Sequence, residues 1–110
     1  MRLPYFLPLL LAACSASAGE PLPLDGFADA IHHWRNRHDQ RHYPRYRPEE
    51  TREIAENILL WQRANGGWKE NEDPARILSV GEREAIVESH HALDASFDNR
   101  NIWPQITYLA

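Results

Sequence analysis

The sequence predicts an all-α fold, on three observations. Apolar residues recur at three- and four-residue spacing in four separate stretches, and helix-start signals stand ahead of them. The Asn-Gly-Gly run, Pro44 and Pro74 fall between the stretches. The first stretch follows a Pro-rich link at residues 21–24. Asp25 is placed to cap it, Asp29 adds a favourable charge to its first turn, and Phe27, Ala30, Ile31 and Trp34 form one stripe. This helix is expected to fray near residues 37–39. Residues 42–48 contain Pro44 and Pro48, each of which disfavours helical backbone in the residue before it, so they read as a connector.

Pro48, Glu49 and Glu50 resemble a helical first turn, with a proline whose missing N–H goes unused and carboxylates at the positive dipole end. Ile54, Ile58 and Trp61, flanked by Ala55 and Leu59, then give a wide apolar face, and Asn65-Gly66-Gly67 supplies residues that tolerate positive φ as a stop. Ser79 and Glu82 form a capping box ahead of a third helix running to about His91, with a thinner apolar set of Val80, Ala85, Ile86 and Val87. Asn101 is positioned to cap a last, short helix with Pro104 in its first turn and Ile102, Ile106 and Leu109 along one face. That face has no evident cover within the chain, so self-association is expected when the chain is made alone.

The N-terminus reads as an export signal. Arg2 is a minimal positive region, and residues 3–13 are apolar but too short to span a hydrocarbon core of about 30 Å as a helix. Two processing sites compete. Ala16-Ser17-Ala18 before Gly19 suits an ordinary signal peptidase, whereas Leu11-Ala12-Ala13-Cys14 resembles a bacterial lipoprotein box that would make Cys14 a lipid anchor. The chain is therefore expected to be exported, as a periplasmic or secreted protein or an outer-membrane lipoprotein of a bacterium. Removing residues 1–18 of the 110 leaves 92, enough for one small domain or part of a larger one. With Cys14 the only cysteine, neither a disulfide framework nor a multi-cysteine zinc site can form within the chain.

The exported part carries a net charge of −5, which disfavours nucleic-acid binding by phosphate neutralisation. Its charge is uneven. Arg35, Arg37, Arg41, Arg45 and Arg47 cluster ahead of an acid-rich stretch at residues 49–91, so the cations could face an anionic polysaccharide or pair with those acids. The six histidines show no His-Glu-x-x-His pattern, and Tyr43-Pro44 breaks any helix that would align His38 with His42. Two segments stand out. Residues 65–71 set Trp68, Lys69 and polar groups on a tight turn, a common way to stack an indole on sugar rings. Ser96-Phe97-Asp98-Asn99 places a carboxylate and an amide before a helix, where either could cap the backbone or ligate a hard cation.

The runs Ile58-Leu59-Leu60-Trp61-Gln62-Arg63-Ala64-Asn65-Gly66-Gly67-Trp68 and Ser96-Phe97-Asp98-Asn99-Arg100-Asn101, followed by Pro104-Gln105-Ile106-Thr107-Tyr108-Leu109-Ala110, resemble the opening of pectate lyases of polysaccharide lyase family ten. His33-Trp34-Arg35 and Tyr43-Pro44-Arg45-Tyr46 resemble the family's lead-in, so the likeness covers about residues 27–110. It implies an all-α toroid, of which this chain would hold the first helices. It also implies cleavage of polygalacturonate by β-elimination, in which calcium acidifies the C5 proton and an arginine acts as base. Asp98 would then help bind calcium, with Trp68, Lys69 and Asn99 near the substrate.

There are departures from the family pattern. The family's Gly-Gly-Trp-Pro-Lys-Asn is replaced by Trp68-Lys69-Glu70-Asn71 without the proline, and its threonine by Ser96. No arginine from Arg35 to Arg100 matches the catalytic base. The expectation is therefore a fragment of a calcium-dependent pectate lyase that is inactive alone, the alternative being a small exported module that binds anionic polysaccharide without cleaving it.

Overall fold

A computed structural model describes residues 20–97 and 101–110. The leader with Cys14, and the candidate residues Asp98 and Asn99, lie outside the described residues. Within them the chain is all-α. A 3-10 turn at Asp25–Phe27 runs into α1 (Ala28–His38), followed by α2 (Thr51–Trp61), α3 (Val80–Glu88) and α4 (Trp103–Leu109). The described residues form no strand, only an isolated antiparallel bridge between Arg45 and Arg76.

The centre of the fold is α2. Its buried side carries Ile54, Asn57, Ile58 and Trp61, and around it gather Phe27, Trp68, Ala75, Leu78 and Tyr108. Asn57 is fully buried yet useful there, because its Nδ2 donates to the carbonyls of Pro74 (2.9 Å) and Arg76 (2.7 Å) and so pins an irregular segment onto the helix. Leu59 does not belong to this face and is 55% exposed, a correction to the expected stripe. The helix also begins later than Pro48. Residues 47–50 form a turn in which the Glu50 N–H donates to the Arg47 carbonyl, and the Glu50 carboxylate accepts from the Arg47 N–H at 2.8 Å.

Local chemistry decides the other helices with mixed success. Asp25 makes no cap, because the 3-10 turn already engages the first donors: the Phe27 N–H reaches the Leu24 carbonyl at 2.9 Å. Asp39, in left-handed backbone at φ 51°, ends α1 where fraying was expected. The capping box forms at Ser79 and Glu82, with both reciprocal bonds at 3.1 Å. However, α3 stops at Glu88 rather than near His91 and buries no residue fully, leaving Val80 and Val87 exposed and Ile86 packed on the core.

The last helix, α4, is rotated from its expected face. Pro104, Gln105 and Tyr108 are buried, Ile102 and Leu109 pack beside the core, and Ile106 remains 57% exposed. Asn101 is not its cap; Ile102 occupies that position, with φ 81°. The continuous open face formed by Ile102, Ile106 and Leu109 is thus reduced to Ile106 and the neighbouring, half-exposed Trp103.

Candidate functional site

The two segments singled out in the sequence fold onto each other. After α2, Gly66 takes φ +89° and the turn closes through the Arg63 N–H on the Gly67 carbonyl at 2.8 Å. Gly67 lies so close to the following segment that a Cβ there would meet the Ala95 Cβ at 2.7 Å, which explains the need for glycine. The Trp68 carbonyl then accepts from the Ser96 N–H (3.0 Å) and the Asn101 Nδ2 (2.7 Å). Asn101 also donates to the Ser96 carbonyl at 2.6 Å, and Gln105 Nε2 donates to Asn101 Oδ1 at 2.6 Å. Residues on either side of Asp98 and Asn99 are therefore tied to the Asn-Gly-Gly-Trp turn. Arg63 adds a second tie, donating to both Asp94 oxygens at 2.7 and 3.0 Å and to the Ser89 hydroxyl at 2.6 Å. Hydrogen bonding from Arg63 is the main cause that holds the Asp94 carboxyl below its ordinary value.

Trp68 does not present its ring to solvent. It is only 4% exposed, and its Nε1 donates to the Ile58 carbonyl at 2.8 Å, satisfying the polar edge of a buried indole. The tight turn lifts the backbone outward while its largest side chain folds back under α2, which corrects the expectation of an exposed stacking platform. Lys69, the next residue, is exposed.

Lys69 stands at an open groove of about 820 Å³ whose walls come from the end of α1, the connector, the 69–79 segment and the first turns of α3. Trp34, Trp61, Leu78 and Ile86 contribute apolar surface; Arg37, His38, Lys69 and Arg76 bring cationic or protonatable groups, against the acids Glu72 and Glu82. Trp34 forms a fixed wall. His38 stacks on it with ring centres 4.3 Å apart, and the Arg76 guanidinium lies 4.4 Å from its ring centre, within cation–π range. His38 is held in place by its Nδ1, which donates to the Trp34 carbonyl at 2.8 Å. Arg76 is also paired with Glu82. Lys69 forms no salt bridge with the described residues.

Beneath this wall is a hub that the sequence did not reveal. Asp73 is fully buried and accepts from Arg45 Nε (2.8 Å) and Nη2 (3.1 Å), from the Tyr43 hydroxyl (2.5 Å) and from the Ala75 N–H (3.0 Å). Arg35 Nε in turn donates to the Tyr43 hydroxyl at 3.0 Å. Burial, reinforced by the Asp73 carboxylate and opposed by Arg35, pushes the Tyr43 phenol above its ordinary value. Part of the basic stretch thus pairs with the acid-rich one, as one of the two sequence readings held, while Arg37 remains at the groove. The clue available was the pairing of an acidic residue with Pro74, a turn whose carboxylate can bond its own backbone; the partners lie 28 and 30 residues away in the chain.

Among the described residues no group of three or more His, Cys, Asp or Glu side chains is arranged to hold a metal ion. Comparison of the chain with protein-family models, with curated proteins and with solved structures gives no match in any of the three.

Proposed function

We propose that the chain is the N-terminal portion of a calcium-dependent pectate lyase, contributing the first helices of an (α/α) toroid and a groove that holds polygalacturonate. The observation that carries this reading is the pair of lyase-like motifs: they occur in order in the sequence, and the turn at Gly67 and Trp68 is hydrogen-bonded to Ser96 and Asn101 beside Asp98. The all-α architecture is compatible with it. In this reading Asp98 is the calcium residue, Asn99 and Lys69 contact substrate, and Trp68 shapes the turn from within the core. Calcium, when bound, would withdraw charge from the uronate carboxylate and stabilise the anion formed at C5. The chain's own contribution is to bind and orient: Lys69 and Arg37 attract carboxylates, and the Trp34 wall limits the groove.

Because no arginine here matches the family's base, the 110-residue chain is expected to bind polygalacturonate without cleaving it. The groove gives this binding role its specific support, and a stand-alone binding module is the second reading. Incubation with polygalacturonate and calcium, followed by ultraviolet absorbance of unsaturated uronate ends, should show no turnover; sustained product formation would contradict the assignment of the base elsewhere. In a longer product containing the rest of the lyase, Asp98→Ala should lose most activity, and full activity at saturating calcium would remove Asp98 from the site.

A further inference from the structure

Glu72 occupies an unusual position in this groove. It lines the groove together with Lys69, and with Lys69 it also lines a small, partly open space of about 10 Å³ shared with Trp68, Pro74 and Gln105. Gln105 is 8% exposed and its Oε1 has no donor among the described residues. A buried acceptor without a donor costs stability, and the neutral form of a carboxyl is a donor. The ionised form has the opposite preference, being drawn toward the cations at the groove: Lys69 and Arg76 on its own segment, His38 and Arg37 on α1. The remaining charged or titratable groups on these walls are engaged elsewhere, Glu82 with Arg76 and Tyr43 with Asp73.

We propose that Glu72 is a proton-controlled gate for anionic ligands: protonated, it turns to the buried acceptor of Gln105 and leaves Lys69, Arg37 and His38 free for a ligand carboxylate; ionised, it occupies those cations itself. The 10 Å³ space is just large enough for one water to relay the hydrogen bond to Gln105. Burial, the largest influence on Glu72, favours its protonated form, against the pull of Lys69, Arg76, His38 and Arg37. Uronate carboxyls are stronger acids and stay ionised while Glu72 takes up its proton, so the gate opens on acidification. The inference rests on the groove's role in binding acidic polysaccharide, and it extends that role to regulation.

The test follows the Glu72 side-chain carboxyl by 13C NMR through a pH titration of the full chain, alone and with trigalacturonate or with sulfate, whose charge is fixed over the range. Either anion should raise the Glu72 midpoint, since anion and proton bind together. In parallel, Glu72→Gln should bind trigalacturonate roughly fivefold more tightly than wild type at pH 7, the effect of removing one like charge about 4 Å away at the full screening of bulk water. If sulfate raises the midpoint but trigalacturonate binds at no pH, the gate stands and the polysaccharide reading falls. If neither anion moves the midpoint, the gate is refuted, whether or not the variant folds; an unaltered affinity in a folded Glu72→Gln chain refutes it equally.

Discussion

Replacing Trp68 by phenylalanine separates a core role for this residue from a sugar-stacking one. The indole is 4% exposed, and its Nε1 is bonded to the Ile58 carbonyl at 2.8 Å. Phenylalanine keeps most of the apolar contact but removes the donor, leaving a carbonyl in the core unpaired, which costs about 1–3 kcal/mol. The smaller ring also leaves a void, so a total loss of about 2–3 kcal/mol is expected, against about 3–5 for alanine. For a domain of this size each kcal/mol lowers the melting temperature by roughly 4–8 °C. Urea and thermal unfolding followed by far-ultraviolet circular dichroism read the change without relying on tryptophan fluorescence. Affinity for polygalacturonate, measured well below the melting temperature, should change little. An unaltered melting temperature together with a large loss of affinity would refute the reasoning, because it would mean that the indole faces ligand.

Three further outcomes follow from individual contacts. Asp73→Ala removes the acceptor shared by Arg45, Tyr43 and the Ala75 N–H; a loss of about 3 kcal/mol is expected in urea unfolding, at the lower end for a broken buried pair because Arg45 can turn to water. A loss below about 1 kcal/mol would deny Asp73 its role as hub. Gly67→Ala places a Cβ 2.7 Å from that of Ala95 and should cost about 1–3 kcal/mol, whereas an unchanged midpoint would show that the two segments separate freely. Asp94 has its pKa lowered from 3.8, chiefly by hydrogen bonding from Arg63, so its contribution is present above 3.8 and fades as pH falls through the folded value. Asp94→Asn should therefore flatten the acid limb of the stability profile, and an unchanged slope would contradict this.

What the sequence disclosed was local. The Ser79 and Glu82 box, the stripe of Ile54, Ile58 and Trp61, and the turn at Gly66 are all written within a few residues, and each forms. What it hid depends on distant partners. Asn101 has the chemistry of a cap but is used to clamp the Trp68 carbonyl 33 residues away, so the start of α4 moves to Ile102 and its buried side turns to Pro104, Gln105 and Tyr108. Trp68 could not be placed from its turn, because its burial is decided by a carbonyl on α2. The Asp73 hub joins residues 28–30 positions apart, beyond any helical or turn periodicity. At the candidate site Lys69 lines the groove, the tie between the two motifs was not legible in the sequence, and Asp98 and Asn99 lie outside the described residues. Glu72 gave no signal, as one acid among many until the fold sets it between the groove's cations and an amide oxygen with no donor among the described residues.

The central claim, that this chain is a polygalacturonate-binding portion of a lyase, is most directly tested by affinity electrophoresis in gels with and without polygalacturonate. The expected result is retardation that depends on the polymer, weakens in Lys69→Ala, and yields no unsaturated product. Equal migration of wild type and variant in both gels would contradict it.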